Sequence, residues 1–254
     1  MAAGYIPYCG PPPVPGSLAW NLDPVLIFAL LALAGCHILT IRREPQSDRR
    51  MAASLGGWSV VLAALISPLC SLGVALFSAR VTQHMIIALI GAPLIAWALP
   101  SRRGSTQGVH VLWATGAFAL ALWFWHMPLP YDATFRSDTV YWAMHLSLFG
   151  SALWLARGML IDAGSRPGQV LLAGLLTTMQ MSLLGAVLTF SAHPLFAPQF
   201  DTTLSWGLTP LQDQQLGGLI MWVPSGLVLV SYGLWAAARI LRRMEARETL
   251  PIGE

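Results

Sequence analysis

Three histidines in this 254-residue chain, His84, His126 and His145, fall at similar depth on three successive apolar segments and have the clearest capacity for chemistry. A single imidazole within an apolar helix is ordinarily a hydrogen-bonded contact between helices, because leaving it unpartnered there is costly. Three at one depth on consecutive helices point instead to a shared site built from at least two of them. Soft donors accompany them: Met85 beside His84, Met127 beside His126, Met144 beside His145, with Cys70 and Cys9 on the same side. Imidazole combined with thioether or thiolate suits copper, Cu(I) above all, better than hard cations. Neighbouring helical residues point about 100° apart, so His84 and Met85 do not both face one centre without distortion, and each methionine alone reads as packing.

The other candidates carry two readings each. The three cysteines have no zinc-type spacing. Cys36 reads as apolar packing, while Cys9 and Cys70 fall on an oxidising side, either as a disulfide or as a copper thiolate pair. Asp138 reads as a favourable charge at a helix start. Asp213, ahead of Gln214, is either helix-start chemistry or a group that orients a histidine ligand. His193 lies just past the same end of its segment, whereas His37 and His110 fall at the opposite end.

The elements that must position these groups are helices in a lipid solvent. The chain is 56% hydrophobic and 10% charged, more apolar than a soluble domain of this size can bury. Its apolar runs recur at the length that crosses about 30 Å of hydrocarbon, without β-barrel alternation. The pattern predicts an all-α membrane protein, a single bundle of about seven transmembrane helices: Pro24–Ile41, Met51–Leu72, Val81–Leu99, Val109–Met127, Thr139–Leu160, Gln169–Phe190 and Gln214–Ile240. Pro93 and Pro224 are expected to kink theirs. Residues 1–23 form a Pro-rich extracytoplasmic arm with no signal-peptide pattern, 24–240 the helical domain and 241–254 a cytoplasmic tail.

All 14 basic residues are arginine, and 12 of them fall in the odd-numbered loops and the C-terminal tail. Positive charge on the inner side then sets the N-terminus outside and the C-terminus in the cytoplasm, which puts His84, His126 and His145 toward the outer face. The same distribution explains the net charge of +3 without any nucleic-acid partner. The absence of lysine excludes a retinal Schiff base from this seven-helix pattern.

In five stretches the chain resembles the multi-spanning CtaG family of cytochrome c oxidase assembly factors: SPLCSLGVALFSARVTQHMI (Ser67–Ile86), WHMPLPYDA (Trp125–Ala133), YWAMHLSLF (Tyr141–Phe149), LLGAVLTFSAHPLF (Leu183–Phe196) and LTPLQDQQLGGLIMWVPSG (Leu208–Gly226). The resemblance implies a non-enzymatic role in maturing a haem–copper oxidase in the bacterial plasma membrane, at the step where copper reaches the catalytic subunit. It places the family's motif histidines on His84, His126 and His145, with Tyr131, Asp132, Asp213 and Gln214 as nearby polar positions. On this reading the pocket takes Cu(I) from an extracytoplasmic copper carrier and passes it on by ligand exchange, with Cys70, Met127 and Cys9 as further candidate ligands. Three alternatives compete. The histidines are axial ligands of a haem, the chain is an ion transporter with polar groups such as Gln180 continuing the path, or it is a metal-free scaffold.

Overall fold

In the computed structural model, residues 5–42, 47–100, 111–162, 166–224 and 226–227 are described, and every regular element among them is helical. The helices are α1 (Pro24–Ile41), α2 (Ser47–Ile66), α3 (Pro68–Ala75), α4 (Phe77–Ile86), α5 (Ala92–Ala98), α6 (Val111–Trp125), α7 (Pro128–Ala133), α8 (Asp138–Asp162), α9 (Pro167–Phe190) and α10 (residues 210–224). A π-helical turn, Ile87–Gly91, joins α4 to α5. Two 3₁₀ turns, Ala197–Gln199 and Thr203–Trp206, lie between α9 and α10.

Local chemistry explains most boundaries. Asp23 caps α1 by accepting from the Val25 amide at 2.8 Å, and Pro24 takes the first helical position, where no N–H is required. The same device, Ser67 then Pro68, starts α3 at an angle of 48° to α2. The expected span Met51–Leu72 is therefore broken at Ile66. The expected span Val81–Leu99 begins earlier, at Phe77, and continues through the π turn to Ala98. That wider turn lies directly ahead of Pro93, whose ring and missing N–H interrupt an α ladder.

Arginines fix one end of the bundle. Arg50 at the start of α2 and Arg157 near the end of α8 both donate to the Leu99 carbonyl, at 2.8 and 3.0 Å, and Arg157 also reaches Ala96 O and Pro100 O. Guanidinium donors thus satisfy carbonyls left over at the C-terminus of α5. The arm defines the other end: Cys9 is disulfide-bonded to Cys70, Asn21 N donates to Ile66 O at 2.9 Å, and Trp206 Nε1 donates to Pro13 O at 3.1 Å. Tyr8 stacks on Tyr141 with ring centroids 5.0 Å apart and donates its hydroxyl hydrogen to Asp23.

That hydrogen bond holds the Asp23 carboxyl below its ordinary value. The contribution to arm docking is present above the usual carboxylate pKa of about 3.9 and is lost as pH falls through the lower folded value. Amide hydrogen exchange around Tyr8 is therefore expected to accelerate only below about pH 4 in the native chain. In Tyr8→Phe it should be fast at neutral pH as well; equal protection in both would remove this contact from the docking.

Three helices are long and apolar enough to cross a membrane: Pro24–Ile41, the Phe77–Ala98 run and Pro167–Phe190. The bent α2–α3 pair makes up to four. The expected count of seven is thus not reached among the described residues. Of the remaining expected spans, α6 is 15 residues long with its expected first residues outside the described ones, and α8 carries Asp138, Arg157 and Asp162. The seventh is described only as residues 210–224 and 226–227, which include Pro224, and the 241–254 tail lies outside the described residues. Val25, Phe28, Leu120, Leu129 and Phe190 are all exposed, leaving a broad apolar outer surface.

Candidate functional site

The site is organised around α4, whose N-cap position, Leu76, offers no side-chain acceptor. The cap comes from α10. The fully buried Asp213 accepts from Phe77 N at 2.6 Å, from Ser78 N at 3.1 Å and from Ser78 Oγ at 2.5 Å. Three donors satisfy one buried carboxylate, which supplies the negative charge that a helix N-terminus favours. Asp213 reaches them because α10 lies very close to its neighbours: a Cβ on Gly218 would stand 2.6 Å from Gly185 O in α9, and one on Gly217 would stand 2.5 Å from the Phe77 ring. Gln83 Nε2 donates to Ala64 O at 2.8 Å and ties α4 to α2.

With α4 held in this way, His84 faces His145 of α8, with ring centroids 5.1 Å apart and planes at 73°. His145 is 6% exposed, and its Nδ1 lies 3.1 Å from Tyr141 O. A carbonyl only accepts, so Nδ1 carries the hydrogen and Nε2 presents a lone pair. That Nε2 is buried without a hydrogen-bond partner, as are both ring nitrogens of His84. Three unpaired nitrogens in one apolar pocket are unfavourable unless something occupies the space between them. His126 shows the same tautomer control, with Nδ1 2.7 Å from Leu122 O, and its ring meets Phe77 edge-on at 6.2 Å.

Arg80, one helical turn before His84, lies within α4 and is 2% exposed. Its guanidinium donates to Gly73 O at 3.1 Å and Thr134 Oγ1 at 2.7 Å, and lies 4.0 Å from the Phe135 ring centroid. The i, i+4 spacing to His84 was the available sign that both share one helix face.

The other expected site residues have separate surroundings. Cys9 and Cys70 form a disulfide, and both sulfurs lie against the Tyr141 hydroxyl, at 3.3 and 3.6 Å. The oxidised pair carries no thiolate for a metal, so a ligand role would require its reduction. Met127 is half exposed, whereas Met85 and Met144 belong to the buried core. Tyr131 packs on Phe77 and Phe196, and its hydroxyl accepts from Gln199 Nε2 at 2.9 Å. Asp132 is ion-paired with Arg136. Gln214 accepts from Leu195 N and donates to Leu188 O, so it fastens the crossing between α9 and α10. His193 is exposed, His37 pairs with Ser54 and Trp58 at a separate place, and His110 lies outside the described residues. Among the described residues no group of three or more His, Cys, Asp or Glu is gathered closely enough to hold a metal ion. The centre that the fold assembles is a pair.

Fold and site together define a helical bundle with a pair of facing imidazoles near its arm end. Residues 33–243 match the family model described as cytochrome c oxidase caa3 assembly factor, and the chain belongs to that family. Searches of the curated proteins and of the solved structures give no match.

Proposed function

We propose that this chain is a multi-pass protein of the bacterial plasma membrane that holds Cu(I) as cargo between His84 and His145 and passes it to the catalytic subunit of a cytochrome c oxidase. It is a binding and transfer protein with no turnover of its own. The arm end faces outward, as the arginine distribution favours, so an extracytoplasmic carrier meets the site from the side where the arm lies. Lipid solvates the apolar flanks.

The observation that carries this reading is the pair of facing imidazoles with three buried, unpartnered nitrogens. Two imidazoles bound at about 2.0 Å to one ion, at a roughly tetrahedral angle, have centroids about 5 Å apart. The observed 5.1 Å fits that arrangement. It leaves no space for a porphyrin between the rings, so the pair favours an ion over a haem. A site with few ligands also suits cargo, because low coordination leaves room for a ligand of the recipient to join before a histidine leaves.

Protein purified in detergent and loaded anaerobically with Cu(I) is expected to retain close to one copper per chain and to have no haem bands in its visible spectrum. His84→Ala, His145→Ala and the double variant should each lose most of that copper. His126→Ala, which removes a ring packed on Phe77, should retain it at reduced stability. Copper retained by the double variant, or none in the native protein, would overturn the reading.

A further inference from the structure

We propose that Arg80 is the specificity-determining residue of the His84–His145 site, a fixed positive charge that admits a monovalent soft cation and rejects dications such as Zn(II) and Cu(II). This inference rests on the reading of the pair as a metal site and names the class of ion it accepts. The guanidinium carbon lies 5.8 Å from the Tyr141 ring centroid, and that ring lies 4.2 Å from the His145 centroid. Arg80 is also one helical turn from His84 on the same face. The charge therefore stands within about 10 Å of the pair, inside the packed core.

Its surroundings do not cancel it. The acceptors bonded to the guanidinium are Gly73 O and Thr134 Oγ1, both neutral. Phe135, Tyr131 and Tyr141 offer ring faces at 4.0, 5.4 and 5.8 Å, which attract the cation without neutralising it. Among the described residues the only ion pair is Arg136–Asp132. Asp213, the buried carboxylate of this region, makes its hydrogen bonds to Phe77 and Ser78 and none to Arg80, so it offsets the guanidinium only from a distance. Two neutral imidazoles add no negative charge to the site.

An entering ion is therefore repelled in proportion to its own charge. At about 10 Å and an effective dielectric constant near 20, each additional unit of charge weakens binding roughly tenfold. Desolvation acts in the same direction, because the cost of burying an ion rises steeply with its charge. Ordinary first-row preferences place divalent copper and zinc high on nitrogen sites, so a carrier of Cu(I) needs some means to keep them out. A buried arginine supplies one that does not depend on ligand geometry, and arginine retains its charge in an apolar setting where lysine can lose its own.

The test uses Ag(I) as a redox-silent monovalent probe and Zn(II) as the dication, each in competition with a chromophoric chelator, on the full chain in detergent. Removing the charge in Arg80→Gln, which keeps donors for Gly73 and Thr134, or in Arg80→Met, which keeps the volume, should lower the Ag(I):Zn(II) affinity ratio about tenfold. A native ratio in a folded charge-removed variant overturns the selectivity role. Failure of the native chain to bind Ag(I) at all overturns the metal reading itself, and is distinguished from the first result by the absence of a bound ion.

Discussion

Replacing Asp213 by alanine is expected to destabilise the bundle by about 3–5 kcal/mol, because it leaves two buried amides and a buried hydroxyl without their acceptor. The carboxylate is fully buried and makes its hydrogen bonds to the first two residues of α4. Each orphaned donor costs about 1–3 kcal/mol, partly recovered if water enters or the helix start frays. Asn keeps one acceptor oxygen but turns an NH₂ toward the donors, so Asp213→Asn should lose about half as much. The measurement is the midpoint of unfolding by denaturant in detergent. Metal binding separates this role from the one the sequence left open. If Asp213 oriented a histidine ligand, Asp213→Asn would weaken affinity without large loss of stability. The structure leads to the reverse, with stability lost and affinity in the folded fraction little changed.

The same residue explains what could and could not be read from the sequence. Helix α1 was legible to both bounds because its start, Asp23–Pro24, is written locally and its apolar run ends in a basic loop. The break after Ile66 was signalled by Ser67–Pro68, the same local device, but continuous apolar character on both sides hid it. The start of α4 was placed four residues late because its cap comes from Asp213, 136 residues away. No local pattern carries such information. The convergence of His84 and His145 was legible from depth alone, since the third and fifth expected spans both enter from the same side and carry their histidines in their first turns. The exposure of Met127 followed from its position after the last helical turn of α6, where the chain turns into α7. Arg80 was hidden because charge near the end of an apolar run ordinarily marks a loop. Only the aromatic surroundings, Tyr131 of α7, Phe135 of the α7–α8 connection and Tyr141 of α8, make its burial intelligible.

Removing the Cys9–Cys70 bridge is expected to have an effect of similar size by a different route. The two cysteines are 61 residues apart, and the loss of chain entropy on closing a loop of that length amounts to about 4 kcal/mol. The double variant Cys9→Ser, Cys70→Ser should be less stable than the oxidised chain by up to about that amount. The bridge also fastens the arm over the end where His84 and His145 meet. Both sulfurs touch the Tyr141 hydroxyl, and the Tyr141 ring lies 4.2 Å from His145, so the arm, the tyrosine and the histidine form one stack. Other ties remain when the bridge is cut, including Asn21 to Ile66 and Trp206 to Pro13. The arm should therefore loosen, with faster hydrogen exchange at residues 5–22, while the helices keep their packing. Cu(I) stoichiometry at His84 and His145 should be equal in the oxidised native chain and in the double serine variant. A copper content that rises when the native bridge is reduced, and stays level when the serine variant is treated with the same reductant, would return Cys9 and Cys70 to the ligand set and make the disulfide the resting form of a thiolate site.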